Sequence, residues 1–362
     1  MAPVVLELQR GAQFDHRLIV TGQHRTMLDQ MLDIFKLKPD IDLDIMEPRQ
    51  SLTTVTAKTI RRLERVFADE RFDMALVHGD TSTSFAAALA AYYARIPVAH
   101  VEAGLRTGDP YNPFPEEMNR RLIDHLADLA LAPTPRARDD LLRENIPPDK
   151  IFVTGNTVVD ALLIAKDKAR PDPTEHELPT GGDMLLVEAH RRENFGEPFR
   201  NICEALRDIV ASHPGAFIVF PVHLNPNVRE PAFEMLGGVE RVFLLEPQSY
   251  LSFIHHMKNA RLILTDSGGV QEEAPTLRTP VLVLRTKTER PEALDAKTAL
   301  LVGTDREKIV GTVRELLEDE TKYEEMARGL NPYGDGRAAG RIAEAILHRF
   351  GLRADRPADF TP

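Results

Sequence analysis

Short apolar runs rich in β-branched residues alternate with amphipathic helical patterns along the whole chain. This alternation predicts parallel sheets whose strands are joined by crossover helices. The predicted strands are residues 17–21, 74–78, 98–101, 129–132, 184–188, 216–222, 241–245, 261–265 and 281–284. In open α/β sheets a ligand binds beyond the carboxyl ends of the strands, so the loops after these strands are the places to look for chemistry.

The periodic pattern breaks between Lys166 and Asp183, where prolines, charged residues and a Gly-Gly pair take its place. Such a change of composition predicts a linker between two domains. Residues 337–350 carry apolar residues at helical spacing, which predicts a final helix that can pack on either domain. We therefore expect a two-domain α/β protein.

The composition narrows the class of protein. A chain of 362 residues with 43% hydrophobic and 28% charged residues is typical of a globular protein with two cores. Its net charge of −11 argues against a nucleic acid held by the general field of the protein, so phosphate groups must be bound locally. The longest apolar stretch, 85–94, is far shorter than the roughly 18 residues of a spanning helix. No membrane segment is expected.

The chain start and the cysteine content both favour the cytoplasm. Residues 1–8 lack the basic region and apolar core of a signal peptide, so export is not expected. Cys203 is the single cysteine, so it cannot form an internal disulfide or a metal cluster. Its position in a helical apolar pattern predicts a buried, unreactive thiol.

Three strand ends in the second half carry residues typical of phosphate binding. Residues 264–273 combine a strand, a turn with two glycines and a helix start, which exposes backbone N–H groups to a diphosphate. Alternatively, Asp266 or Ser267 only caps that helix. Arg290 either clamps a phosphate as a fork donor or is a surface arginine paired with a neighbouring glutamate. Residues 188–194, with His190 and two arginines, either supply a phosphate donor or a proton carrier for the leaving group, or are a solvated, self-paired run of charges.

Three segments of the first half each offer a carboxylate: Asp80, Glu102 and Glu116. Asp80 is alternatively the N-cap of a helix predicted over 81–95, and Glu116 alternatively only complements a helix dipole. Capping does not explain Glu102, which ends a strand between apolar neighbours and precedes a glycine turn. Three carboxylates at one sheet edge form the arrangement needed to remove and return a weakly acidic C–H proton.

Long motifs in a fixed order cover nearly the whole chain. They are residues 23–30, the blocks around His78, Glu102 and 115–117, and residues 155–161, 190–193, 221–230, 265–275, 289–292 and 331–336. Together they resemble the non-hydrolysing UDP-N-acetylglucosamine 2-epimerase family. The resemblance implies two Rossmann-like domains with a central cleft, similar to B-type nucleotide-sugar glycosyltransferases. The implied domains are 1–168 and the UDP-binding 169–337, with a C-terminal helix, 338–362, that returns to the first.

The chain departs from the family pattern at two places. Family members begin with a strand and a Gly-Thr-Arg-Pro-Glu loop ahead of the segment that matches Met1. We therefore expect the first strand of the N-terminal sheet to be missing, and an added upstream segment to raise solubility and activity. The second departure is Glu188, because a threonine is common there in the family.

The resemblance assigns roles to individual residues. Catalytic roles are implied for Asp80, Glu102, Glu116 and His190. Substrate-binding roles are implied for Ser267, Gly268 and Arg290 at the diphosphate, Glu273 at the ribose, Gln248 and Phe253 at the uracil, and His223. Gln23, Arg49 and His223 fall in segments where some bacterial members bind a second UDP-N-acetylglucosamine as an activator, so Gln23 and Arg49 are possible allosteric residues.

The implied activity is reversible epimerisation at C2 of UDP-N-acetylglucosamine to UDP-N-acetylmannosamine, a step of cell-surface polysaccharide biosynthesis. UDP would be eliminated to give 2-acetamidoglucal and then re-added, with no cofactor and no metal. The expected partners are the substrate and a second copy of the chain in a homodimer. The alternatives are a hydrolysing epimerase, a B-type glycosyltransferase and a truncated, non-catalytic nucleotide-sugar binder.

Overall fold

The computed structural model describes residues 1–23, 25–47, 49–173 and 178–362. The chain folds into two compact units, Met1–Ala161 with Tyr333–Pro362, and Leu162–Pro332. His24 of the 23–30 motif and residues 174–177 of the predicted linker lie outside the described residues. Within the described ranges, no helix is long and apolar enough to cross a membrane.

The first unit is built on parallel strands. Its elements before the second unit are α1 (Ala2–Arg10), β1 (Ile19–Val20), α2 (Arg25–Phe35), β2 (Ile41–Asp42), α3 (Leu52–Asp69), β3 (Ala75–His78), α4 (Ser82–Tyr93), β4 (Val98–Val101), α5 (Glu116–Leu126), β5 (Leu129–Ala132), α6 (Pro135–Arg143) and β6 (Ile151–Val153). Helix α7 (Thr157–Ala165) begins in the first unit and ends in the second. Strands β3 to β6 form a parallel sheet in sequence order, and β1 and β2 form a separate parallel pair.

The second unit is also α/β, and its strands form one parallel sheet. Its elements are β7 (Asp183–Glu188), α8 (Glu197–Ser212), β8 (Ala216–Pro221), α9 (Pro226–Leu236), β9 (Val242–Leu245), α10 (Tyr250–Asn259), β10 (Leu262–Thr265), α11 (Gly268–Glu273), β11 (Val281–Val283), α12 (Pro291–Asp295), β12 (Ala299–Leu301), α13 (Arg306–Glu318) and α14 (Glu320–Ala327). The strand order is β12-β11-β10-β7-β8-β9.

The chain ends in the first unit, with helix α15 (Ala338–Arg349). Side chains of α1 and α15 share a core with Ala99 and Leu129, on one face of the β3–β6 sheet. The residues beside them, Val98 and Ala130, point the other way and pack under α4, α5 and α6. Helices therefore cover both faces of this sheet.

Both sheets are buried on both faces, and this explains the near-continuous apolar runs of their strands. In β7, for example, Leu185, Leu186 and Val187 are each 0% exposed. Helices α8, α9 and α13 contribute to one large core of the second unit. Cys203 of α8 lies in this core at 0% exposure, and burial raises the pKa of its thiol to about 12. The predicted burial of this thiol is confirmed.

The predicted α/β class is confirmed, and each predicted strand is present to within two residues at either end. Strands β2, β6 and β12 were not predicted. β2 and β6 have two and three residues, and β12 is Ala-Leu-Leu, without a β-branched residue. Such short segments carry too few positions for a period of two to be recognised.

Gly104 lies where the loop after β4 passes closest to α6. Its φ is +87°, and a Cβ built there would lie 2.3 Å from the Ala137 carbonyl oxygen and 2.8 Å from Leu141 Cγ. Only glycine avoids both the left-handed backbone penalty and this clash. The loop that carries Glu102 therefore depends on Gly104 for its path.

We expect Gly104→Ala to lower the free energy of unfolding by roughly 1–3 kcal/mol more than Gly108→Ala does, because only the first adds overpacking. Gly108 lies in the same loop at φ +83° with nothing within 4 Å of a built Cβ, so it isolates the backbone penalty. Urea unfolding followed by circular dichroism measures both. Equal losses for the two variants would show that α6 moves aside without cost.

Candidate active site

The strand order of the second sheet reverses between β7 and β10. β8 and β9 lie on one side of β7, whereas β10, β11 and β12 lie on the other. Ligands of open α/β sheets bind at such a switch point, outside the carboxyl ends of the strands. β7 and β10 pair in parallel with Glu188 opposite Thr265. The residues that follow Glu188 and Thr265 therefore form the candidate site of this unit.

Asp266 is a fully buried carboxylate that holds the loop after β7. Its oxygens accept hydrogen bonds from the backbone N–H groups of His190, at 3.0 and 3.1 Å, and of Arg191, at 3.0 Å. They also accept from Asn194 Nδ2 at 2.9 Å, and this amide donates to the Leu284 carbonyl at 3.0 Å. Asp266 thus ties three strand-end loops together, and the alternative that it only caps a helix is wrong.

His190 lies between two carboxylates and a second imidazole. Its Nδ1 is 3.5 Å from Glu188 Oε1 and 3.8 Å from Asp266 Oδ1. Its ring stacks on that of His223, with centroids 5.3 Å apart and an interplanar angle of 17°. Burial and the neighbouring His190 lower the pKa of His223, whose Nδ1 accepts from Asn225 N at 3.0 Å. His190 is therefore fixed by its backbone and by its ring.

Ser267 and Gly268 form the start of α11. Ser267 occupies the N-cap position, but its hydroxyl makes no capping bond, so the capping alternative is wrong here too. A Cβ built on Gly268 would lie 3.0 Å from Glu289 Oε1 and 3.9 Å from both Arg191 Nη2 and Arg290 Cζ. Any larger residue at position 268 would crowd Glu289, so glycine lets these charged side chains approach the start of α11 closely.

The guanidinium groups near Gly268 are held by carboxylates. Arg290 has a side chain only 12% exposed, and its Nε donates to Glu272. The alternative that Arg290 is a surface residue is therefore wrong. Burial alone would raise the pKa of Glu289, but Arg285 and Arg290 outweigh it and hold that pKa below its usual value.

Arg191 is a cation known from the sequence only as a member of the 190–193 motif. Its Nη2 lies 3.6 Å from Glu289 Oε1. Its Nε is a buried donor without a hydrogen-bond partner in the described part of the chain. An unpaired buried cationic donor is suited to an anionic ligand.

The three residues predicted to surround uridine lie on or near α10 and α11. Glu273 is nearly buried and its Oε1 accepts from the Tyr250 hydroxyl at 2.8 Å. Gln248 Nε2 donates to the Glu246 carbonyl at 2.7 Å, and its Oε1 accepts from Ser252 Oγ at 2.7 Å. Phe253 lies in the first turn of α10 with a half-buried side chain. The role of Tyr250 as the partner of Glu273 was not predicted.

Glu102 follows β4 in a left-handed conformation, with φ +68°. Its backbone N–H donates to the Leu131 carbonyl at 3.1 Å, which holds the turn to β5. Its Oε2 lies 3.0 Å from His78 Nε2, at the end of the adjacent strand β3. A non-glycine residue with positive φ is uncommon and costs free energy, and such strain concentrates at functional sites. Glu102 is thus aimed at His78 by its backbone.

The electrostatics of His78 are set by burial. Burial, together with the nearby amino terminus, lowers the pKa of its imidazole below the usual value. A neutral imidazole that donates from Nε2 to the Glu102 carboxylate fits this environment. Glu102 and His78 therefore form a hydrogen-bonded pair in which His78 Nε2 is the donor and Glu102 Oε2 is the acceptor.

Asp80 is ion-paired with Arg120 Nη2 and does not cap α4. The cap is Thr81, whose hydroxyl accepts from Ser84 N at 3.1 Å. Asn119 Nδ2 donates to the Asp80 carbonyl at 2.9 Å. Helix α5 thus holds Asp80 through two successive residues, and the capping alternative for Asp80 is wrong.

Glu116 is the first residue of α5, and its carboxylate has no hydrogen bond or ion pair with the described residues. The next residue, Glu117, is fully buried and accepts from the backbone N–H groups of Thr107, at 3.0 Å, and Gly108, at 3.3 Å. The two adjacent glutamates therefore differ. Glu117 supports the loop, whereas Glu116 remains free to meet a ligand.

A buried ionic network beneath the same loop was not predicted. His100 Nδ1 lies 2.6 Å from Asp124 Oδ1, and His100 Nε2 donates to the Gly79 carbonyl at 2.8 Å. Arg106 Nη2 donates to Asp124 Oδ2 at 2.7 Å. Burial would raise the pKa of Asp124, but His100 and Arg106 outweigh it and hold it below the usual value.

The possible allosteric residues lie apart from the carboxylates in sequence, within the first unit. Gln23 follows β1 and is half-buried, whereas Arg49 is exposed with φ +58°. His223 lies in the second unit, stacked on His190. An allosteric role for Gln23 and Arg49 stays a prediction.

Comparison with known proteins identifies the family. The family model for UDP-N-acetylglucosamine 2-epimerase matches residues 6–347. The chain is 53% identical to the UDP-N-acetylglucosamine 2-epimerase of Salmonella typhimurium over 354 residues, which are 96% of this chain and 94% of that protein. The chain belongs to the UDP-N-acetylglucosamine 2-epimerase family.

Further relatives agree with this assignment. The UDP-N-acetylglucosamine 2-epimerase of Bacillus subtilis is 50% identical over 362 residues, 100% of this chain and 95% of that protein. The crystal structure of UDP-GlcNAc 2-epimerase from Neisseria meningitidis bound to UDP-GlcNAc superposes with a TM-score of 0.89, at 47% identity over 96% of each chain. The predicted family, and the prediction that the protein is an enzyme of this family, are confirmed.

Glu273 makes the stability of this epimerase-family protein depend on pH. Burial raises the pKa of its carboxyl from 4.5 to about 7, against the hydrogen bond from Tyr250. Between pH 4.5 and about 7, the folded state therefore keeps a proton that the unfolded state has already released. Stability is greatest below the unfolded pKa and falls as the pH rises through the folded pKa.

In the parent protein, Glu273 should lower the free energy of unfolding by roughly 2–3 kcal/mol as the pH rises from 4.5 to 7. We expect Glu273→Gln to abolish this decrease. Urea unfolding at several pH values measures the slope. The exposed Glu234, which pairs with Arg200 on the surface, provides the matched control Glu234→Gln with the same change of net charge. Parallel pH slopes for the parent and Glu273→Gln would contradict the raised pKa.

Proposed function

We propose that the protein interconverts UDP-N-acetylglucosamine and UDP-N-acetylmannosamine by inverting C2 of the sugar, without hydrolysing the nucleotide sugar. Family membership supports the substrate class. The observation that carries the chemistry is Glu102, a carboxylate held by a strained backbone against the half-buried His78 at a strand end. That arrangement suits a base for a weakly acidic C–H group.

The second unit is proposed to bind the UDP part of the substrate. The diphosphate would lie at the start of α11, by Ser267 and Gly268, where Arg191 and Arg290 lie close to Gly268 and Arg191 Nε is a buried donor without a partner among the described residues. Arg290 and His190 would face the same phosphates, as fixed donors that stabilise charge on the leaving UDP. The remaining contacts to the nucleotide would come from Glu273 at the ribose, and from Gln248, Phe253 and His223.

The first unit is proposed to move protons at C2. Asp80 is ion-paired with Arg120, so its carboxylate is already held by helix α5. Glu102 faces the His78 imidazole, whose pKa is lowered by burial, and Glu116 makes no ion pair with the described residues. We assign these two glutamates to the two faces of the sugar. Asp80 would then act by its charge and by holding α5.

The reaction proposed is an elimination followed by an addition. A carboxylate removes the C2 proton, the C–H electron pair forms the C1–C2 double bond, and UDP leaves with the electrons of its bond to C1. UDP then re-adds to C1 of the 2-acetamidoglucal as a proton arrives at C2 on the opposite face. No electrons are gained or lost overall, so the balance requires no redox partner. A homodimer and a cytoplasmic location stay predictions.

Incubation with UDP-N-acetylglucosamine in heavy water is expected to give both C2 epimers with deuterium at C2, because the proton leaves and solvent returns it. Proton NMR of the C2 position, together with mass spectrometry, measures the exchange. Epimers that keep the original hydrogen would rule out elimination. Free N-acetylmannosamine as the main product would identify a hydrolysing enzyme instead, and UDP binding without turnover would identify a binder.

Glu102→Gln is expected to lower kcat for C2 exchange by about 10²–10⁴-fold, the usual contribution of a positioned general base. UDP affinity should stay near the parent value, because UDP is assigned to the other unit. Glu344→Gln is the matched control in the same unit, since Glu344 lies on α15 with a side chain that is 43% exposed. Exchange near the parent rate in Glu102→Gln would move the base to Glu116.

A further inference from the structure

Glu188 is a carboxylate at the switch point for which the proposed chemistry has no role so far. It ends β7 opposite Thr265 of β10. Its Oε2 accepts from Thr265 Oγ1 at 2.7 Å, and its Oε1 lies 3.5 Å from His190 Nδ1. Its side chain is 22% exposed. The carboxylate therefore bridges the end of β10 and the imidazole.

The Thr265 hydroxyl fixes the direction in which Glu188 faces. Thr265 Oγ1 accepts the backbone N–H of Ser267 at 2.9 Å, so its own proton can point to Glu188 Oε2. One carboxylate oxygen is thereby occupied by the strand next to it. The other, Oε1, is directed to His190.

Asp266 is the second carboxylate near His190, but its oxygens already accept other hydrogen bonds. Its oxygens accept the backbone N–H groups of His190 and Arg191 and the amide of Asn194. It is also farther from Nδ1, at 3.8 Å. Glu188 is therefore the carboxylate better suited to accept from the ring.

We propose that Glu188 is a positioning residue that accepts the Nδ1 proton of His190 and so leaves Nε2 as the nitrogen that meets the substrate phosphates. The contact itself is independent of the proposed function, whereas the use of Nε2 rests on it. The charged and titratable groups that face His190 are Glu188, Asp266, His223 and the adjacent Arg191.

The direction of the Glu188 titration agrees with this geometry. Burial raises the pKa of Glu188, while His190 and the Thr265 hydroxyl act in the opposite sense. A carboxyl that is costly to ionise alone is stabilised as an anion by a cationic neighbour.

The test is a pH titration of His190 in the full chain without ligand. The titration is monitored by NMR of the ring nitrogens in protein that carries ¹⁵N-labelled histidine. The His190 signals are assigned by their loss in His190→Asn. Glu188→Gln is expected to lower the His190 midpoint by about one pH unit, because an opposite charge within contact range is removed. Thr265→Val, which keeps the β-branched shape and removes the hydroxyl, is expected to shift it less in the same direction.

Glu197→Gln is the matched control, because Glu197 is an exposed glutamate of the following helix start and changes the net charge equally. Its His190 midpoint should equal that of the parent. Unchanged His190 midpoints in both Glu188→Gln and Thr265→Val would overturn the proposal. An equal shift of the His190 midpoint in Glu197→Gln would show only an effect of net charge, and it would also overturn the proposal.

Activity separates this inference from the proposed function. The alkaline limb of kcat against pH is expected to move to lower pH in Glu188→Gln by the same amount as the NMR midpoint. A shifted midpoint with an unmoved pH profile would support the contact and overturn the role given to Nε2. If no epimerisation occurs in any variant, the proposed function fails while the NMR result still decides the contact.

Discussion

The second unit depends on one buried carboxylate that accepts backbone N–H groups from a neighbouring loop. Asp266 lies at 0% exposure and carries hydrogen bonds from His190, Arg191 and Asn194. A buried carboxylate is costly unless its oxygens are satisfied, so the loop must adopt the path that satisfies them. That path brings His190 next to His223 and Glu188 and turns Arg191 toward Gly268. The geometry of the candidate phosphate site thus follows from the solvation requirement of Asp266.

The first unit uses the same principle with different residues. Glu117 accepts the N–H groups of Thr107 and Gly108, and Asp124 is held between His100 and Arg106. Both carboxylates belong to α5, the helix that also carries Glu116 and the partner of Asp80. Helix α5 therefore carries several charged side chains that are paired inside the first unit. Glu116, in its first turn, is a carboxylate outside these pairs.

The sequence predicted the fold and the strand ends well because those features are local. A strand buried on both faces is a continuous apolar run, as in Val98–Val101 and Leu129–Ala132, so periodicity and length were sufficient to find it. The pairing of Asp80 with Arg120 joins residues 40 positions apart, and that of His100 with Asp124 joins residues 24 apart. Such partners are set by how α5 packs on the sheet, which no local pattern encodes. For this reason Asp80 and Asp266 were equally compatible with capping, Arg191 was predicted only as one of two arginines beside His190, and Tyr250 was given no role.

The second unit is inserted within the first, since residues on both sides of it, Met1–Ala161 and Tyr333–Pro362, form one compact body. The core that joins α1 to α15 combines Val4 and Leu8 with Ala339 and Ile346. During synthesis the apolar side chains of α1 therefore stay uncovered until α15 has left the ribosome. The inserted unit has no such delay, because its strands and helices are contiguous in the chain. Vectorial folding should therefore complete the second unit before the first, and the need for chaperones should fall on the segment that is made first.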